Sequence, residues 1–218
     1  MTLPKFSFYD QFGYILVGFY QIFSLWLLSS LIAWPIAKNL IDLSKPDYAI
    51  PFILIAYFTG HLVQAISNFF EKRESKIKKD LQKGSQEMLE KARDFFGLKK
   101  NSSHHIIWNY CYTYTLSNDF SGQIQLFNSM HSLYRGIWAA SILSATISIL
   151  ISLFYMAAYI HQAILGNYVF CHWSLVIYGG FFVLLTLIFH QRRKRFLKYM
   201  NEKVLITFDI LSKDLLKK

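Results

Sequence analysis

The chain has 218 residues, 54% of them hydrophobic and 18% aromatic, which is more apolar surface than a soluble fold of that size can bury. Its net charge of +10 could suit nucleic acid, but the basic residues flank apolar runs, where an anionic leaflet attracts them at about 1 kcal/mol each, so lipid explains them more simply. Two cysteines, Cys111 and Cys171, provide no disulfide framework.

Four apolar stretches, 12–36, 49–70, 136–160 and 168–189, are each long enough to cross a hydrocarbon core as a helix. The first has little positive n-region and no small-residue cleavage site, and is predicted to persist as a signal anchor. Trp26 and Trp34 lie in its outer half; with Tyr48, Tyr159, Tyr168 and Trp173 they form an aromatic belt at one interface. Pro46 marks the turn of the short connection before the second stretch. Beyond Phe70 the chain becomes charged, with Glu74–Lys78 and Glu87–Lys91 as i, i+4 pairs, so the second span is predicted to continue as a solvated helix. Ile77, Leu81, Met88, Ala92 and Phe95 give that extension one apolar seam, and Gly97 ends it. The aromatic-rich run 104–116 fits helix or strand, with helix preferred. Asn118 or Asp119 is the predicted N-cap of a helix through Phe120, Ile124, Phe127, Met130 and Tyr134 into the third span. Gly166-Asn167 closes the short connection to the fourth span. That span runs past His190 into a basic tail, where Phe196, Met200, Val204, Phe208, Leu211 and Leu215 recur at spacings of four and three.

Charge orients these spans. Of the 23 Lys and Arg residues only Lys38 and Lys45 fall in the two short connections; the others are Lys5, those from Lys72 to Arg135, and those from Arg192 onward. The positive-inside rule then places both termini and the central segment in the cytoplasm, as a multi-pass protein of the inner (plasma) membrane. The expected fold is all-α, with four transmembrane helices extended into a cytoplasmic helical bundle. The expected parts are a first transmembrane hairpin (1–70), a cytoplasmic helical insertion (71–135), a second transmembrane hairpin (136–190) and an amphipathic basic cytoplasmic tail (191–218).

Within the second span Tyr57, His61, Gln64 and Asn68 follow one helical stripe beside Gly60. Facing lipid, four such side chains would be costly, so they point into a bundle, toward another chain or at a water-filled path. Interhelical hydrogen bonding, worth about 0.6 kcal/mol per contact on average, is the plainer reading; a polar path gated by His61 is the sharper one. On the first span Asp10, Tyr14, Gly18 and Gln21 share a face, and Gln21, on an antiparallel helix, is expected at the level of His61 and Gln64. Ser141, Ser144, Ser148 and Ser152 form a small-residue packing face on the third span, with a hydroxyl-lined channel as the alternative. The clusters Lys72, Arg73, Lys76, Lys78, Lys79 and Arg192, Arg193, Lys194, Arg195 are expected at the headgroups of the inner leaflet. Acidic residues interrupt any continuous basic stripe of the kind that tracks phosphates, which argues against nucleic acid. There is no glycine-rich phosphate loop, serine elbow or His-Glu-x-x-His. His104-His105 with Cys111 is one cluster short of a zinc site. The chain is therefore expected to be no enzyme and to hold no cofactor or metal.

Three segments resemble a loose group of small four-span prokaryotic membrane proteins associated with CRISPR and other phage-defence systems. They are Tyr9 to Tyr14 with Gly18, Tyr57 to Asn68, and Met130 to Arg135 before the third span. The resemblance implies a homo-oligomeric inner-membrane component of antiviral defence, which forms a pore or perturbs the membrane on activation. The alternative is a non-conducting anchor or sensor that docks a cytosolic defence partner.

Overall fold

A computed structural model of the chain describes residues 8–32, 49–70, 83–118, 122–161 and 169–216. Among these residues there are six helices and no strand: α1 (Phe8–Leu31), α2 (Ala49–Phe70), α3 (Lys83–Phe95), α4 (His104–Asn118), α5 (Gln123–His161) and α6 (Val169–Leu216). Four of them, α1, α2, α5 and α6, are long and apolar enough to cross a membrane. The chain is thus an all-helical protein compatible with multi-pass membrane insertion. At 1.5 Å per residue the 39 residues of α5 and the 48 of α6 reach about 58 and 72 Å, well beyond the roughly 30 Å of a hydrocarbon core.

Local chemistry sets the helix ends. Pro51 stands in the first turn of α2, where a missing N–H costs nothing. After α3 the chain turns at Gly97, whose φ of 62° is the left-handed conformation that glycine adopts without strain, while Leu98 N–H donates to Arg93 O at 3.0 Å. Ser103 begins α4: its carbonyl accepts from Ile106 and Ile107, and its Oγ lies 3.4 Å from the Ile106 N–H. Asn118 corrects the sequence reading. It ends α4, donating from Nδ2 to Tyr114 O at 2.8 Å, and α5 opens only at Gln123, after Gly122 with φ 67°. An asparagine side chain can donate to a last carbonyl as readily as it accepts at a first turn, so residue type alone could not fix its role. Asp119 and Phe120, and the expected continuation of the second span through 71–82, lie outside the described residues, as do the two short connections with Pro46 and Gly166.

The chain divides into two compact units, one of Met1–Asn68 with Ser132–Arg192 and the other of Phe69–His131 with Arg193–Lys218, and α5 and α6 contribute to both. In the first unit Val17, Val63, Ala139 and Ala140 form one buried cluster, and Leu28, Ala145, Leu175, Tyr178 and Phe182 another. In the second unit the core joins Leu89 and Ala92 of α3, Ile107, Trp108 and Cys111 of α4, Ile124 of α5, and Met200, Val204, Leu205 and Phe208 of α6. Ala92 from the predicted seam and Met200, Val204 and Phe208 from the predicted tail stripe all lie in this core, whereas Phe95 is 38% exposed.

Candidate functional site

The first unit holds its polar side chains at two helix junctions, and the backbone decides where the first one forms. Helices α1 and α2 cross where Gly18 meets Ala56 and Gly60 meets Tyr14: a Cβ built on either glycine would overlap the opposing carbonyl oxygen. Beside the crossing, Gly136 of α5 leaves room for Val17 and Gln64, whose Cγ2 and Nε2 would stand 2.6 and 2.7 Å from an added Cβ. Three helices therefore meet on three glycines, and Gln64 fills the space between them.

At this junction Gln64 Nε2 donates to Ser132 O at 2.7 Å. Its Oε1 accepts from Arg135 Nε at 3.3 Å and Nη2 at 3.2 Å, and from Ser67 Oγ at 3.3 Å, while Ser67 Oγ also donates to Gln64 O at 2.7 Å. Arg135 is 8% exposed, and a guanidinium keeps its charge when buried, so hydrogen-bond acceptors must replace the lost water. The charge-assisted fork onto Gln64 supplies one such acceptor.

The second junction joins α1, α5 and α6. Tyr178 donates to Ser24 O at 2.6 Å, Ser24 donates to Gln21 O at 2.8 Å, and the Ser24 and Ser144 hydroxyls are 2.8 Å apart. Gln21 Nε2 reaches Ser144 Oγ at 3.4 Å, and its Oε1 is buried without a donor. Tyr20 and Ser141 hydroxyls meet at 2.7 Å, with Ser141 donating onward to Ile137 O, and Ser148 donates to Leu175 O at 2.8 Å.

The structure thus separates residues that the sequence grouped. Gln64 belongs to the arginine junction. His61 is half-buried against tyrosines of α1 and α2, stacked on Tyr14 at 3.9 Å and meeting Tyr57 edge-on at 4.4 Å. Asn68 is exposed. Gln21 does not pair with His61 or Gln64; its Nε2 turns to Ser144 on the serine face of α5. On that face Ser141, Ser144 and Ser148 are fully buried, while Ser152 is half-buried and bonds back to Ser148 O. Ser152 also borders an apolar groove of about 610 Å³ between α5 and α6, walled by Leu153, Met156 and Trp173.

Among the basic residues, Arg192, Lys194 and Arg195 are exposed, but Arg193 is 3% exposed, and its carbonyl oxygen lies 3.2 Å from His131 Nδ1. Burial sets it apart from a headgroup-facing cluster. Lys72, Arg73, Lys76, Lys78 and Lys79 lie outside the described residues, as do the side chains of Asp10 and Cys171. Sequence reasoning missed Arg135, Ser24, Ser67, Tyr20 and Tyr178. The signal for Arg135 was present, since it is the one formally charged residue of α5, but it was counted as a flank of the apolar stretch.

Among the described residues no three His, Cys, Asp or Glu side chains come together. Cys111 is fully buried, and burial pushes its thiol up to about 12, so it is a core residue and a poor nucleophile. No protein-family model, curated protein or solved structure matches this chain.

Proposed function

We propose that the chain is a non-conducting membrane anchor or sensor whose charged side docks a soluble partner, in the antiviral setting that the sequence resemblance implies. The observation that carries this reading is where the polar groups go. Gln21, Ser24, Gln64, Ser141, Ser144 and Ser148 are buried and hydrogen-bonded to other groups of the same chain. The outward faces carry large apolar side chains, with Leu54, Phe58 and Leu62 on α2, Phe154 on α5, and Ile177 and Leu184 on α6 all more than half exposed. An ion path needs polar groups on the surface that lines it, and here those groups act as interhelical ties.

In this reading the basic excess holds both termini and the 71–135 segment in the cytosol, and the second unit is the part that meets the partner. Purified protein in potassium-loaded liposomes is expected to release no ions with or without a membrane potential. Protein-dependent flux that disappears in Ser144→Leu would replace the anchor by a pore.

A further inference from the structure

The second unit buries one face of α6 and leaves the opposite face open. Met200, Val204, Leu205 and Phe208 enter the core, while Tyr199, Ile206 and Ile210 are 43%, 45% and 56% exposed. Spacings of seven and four place these three on one line, which Arg195 and Lys213 extend at either end, over about 27 Å of helix. Solvated helices ordinarily carry polar residues on this side, and two exposed isoleucines in line form a ridge of the kind that docks another helix. Phe196 and Phe127 pack around the Tyr199 ring at 6.2 Å and hold it in place.

Charge identifies the occupant. Every exposed charged residue from Arg192 to Lys213 is basic: Arg192, Lys194, Arg195, Lys198 and Lys213. The acids of this stretch, Glu202 and Asp209, are half-buried and lie beside Lys198 and Lys213. A second copy, held in the same orientation by its spans, would set Arg195 against Arg195 and Lys213 against Lys213, and like charges repel. The chain's own segment 71–82 is net basic and complements nothing here. An apolar ridge bracketed by cations fits an amphipathic helix with an apolar seam flanked by Asp and Glu.

We propose that Tyr199, Ile206 and Ile210, between Arg195 and Lys213, are the docking ridge for an acidic amphipathic helix of a protein partner. This rests on the anchor reading and names the chemistry of what is anchored. The test uses the full chain in zwitterionic nanodiscs and a labelled synthetic helix of three heptads with Leu in the seam and Glu beside it. A peptide with Lys in place of Glu serves as control.

The Glu peptide is expected to bind, more weakly as salt rises, and the Lys peptide is not. Ile206→Asp with Ile210→Asp is expected to weaken binding at least about tenfold, as loss of central anchors does. The milder pair Ile206→Ser with Ile210→Ser is expected to weaken it too while the helical circular dichroism stays that of the wild type. Equal binding of both peptides, or binding unaffected by either pair, overturns the proposal. So does efficient disulfide cross-linking between copies carrying Ile206→Cys, which marks the ridge as a self-interface. A blue shift of Tyr199→Trp emission on anionic vesicles without peptide overturns it as well, in favour of lipid. Ion flux from the same preparations is read separately: flux with peptide binding intact defeats only the anchor reading, and silence with no binding defeats only the ridge.

Discussion

Single glycines and single hydrogen-bonding side chains carry the heaviest constraints. Gly18 and Gly60 are required by contact, since any Cβ there enters a facing carbonyl oxygen, whereas Gly180 has open space around it. Gly18→Ala is expected to destabilise the first unit by about 1–3 kcal/mol, as forced overpacking does, and Gly180→Ala to leave it unchanged, both read from unfolding in graded denaturing detergent. At the arginine junction Gln64→Leu removes an acceptor from a buried guanidinium and is expected to cost about 1–3 kcal/mol, more than the roughly 0.6 expected for Ser144→Ala in the same assay. Cys111 gives a chemical readout. Moving its pKa from 9.0 to about 12 lowers the thiolate fraction near neutrality by about three powers of ten, so maleimide is expected to label it only after denaturation. A buried neutral thiol stabilises the fold fully below pH 9 and loses that contribution as pH rises toward 12; Cys111→Ala is expected to flatten this part of the stability profile.

Among elements, α2 begins where the apolar run 49–70 begins, and its expected continuation beyond Phe70 lies outside the described residues. The run 104–116 was ambiguous, since aromatics and β-branched residues satisfy either period. Its packing resolves the ambiguity: Ile107, Trp108, Cys111 and Thr115 point inward at helical spacing, and Thr115 Oγ1 donates back to Cys111 O at 2.8 Å. Ser103→Ala is expected to lower the stability of the second unit by about 1 kcal/mol through loss of the cap at the start of α4, measured by denaturant titration. The start of α5 was misplaced because several polar residues in a row offer equivalent caps, and only the left-handed Gly122 shows where the helix begins.

For the whole molecule, the decisive experiment concerns where the buried serines point. Ser144→Cys in membranes is expected to resist a membrane-impermeant thiol reagent in both resting and activated cells. Labelling on activation would mean that the serine face opens to water. The stripe from Tyr57 to Asn68 was visible as a polar line on one helix, but its partition among a tyrosine stack, an arginine junction and an exposed end was not. One helix has one periodicity, whereas the partners come from α1 and α5, far away in sequence. By itself the sequence determined that the chain is helical and has four helices fit to cross a membrane, because apolar length and helical period are local properties. Only the tertiary structure decided that Arg135 is buried beside Gln64, that Gln21 turns to Ser144, and that Ile206 and Ile210 of α6 stay exposed. The first of these depends on where Gly18, Gly60 and Gly136 let backbones and side chains approach, and all of them are properties of helix pairs and not of one helix.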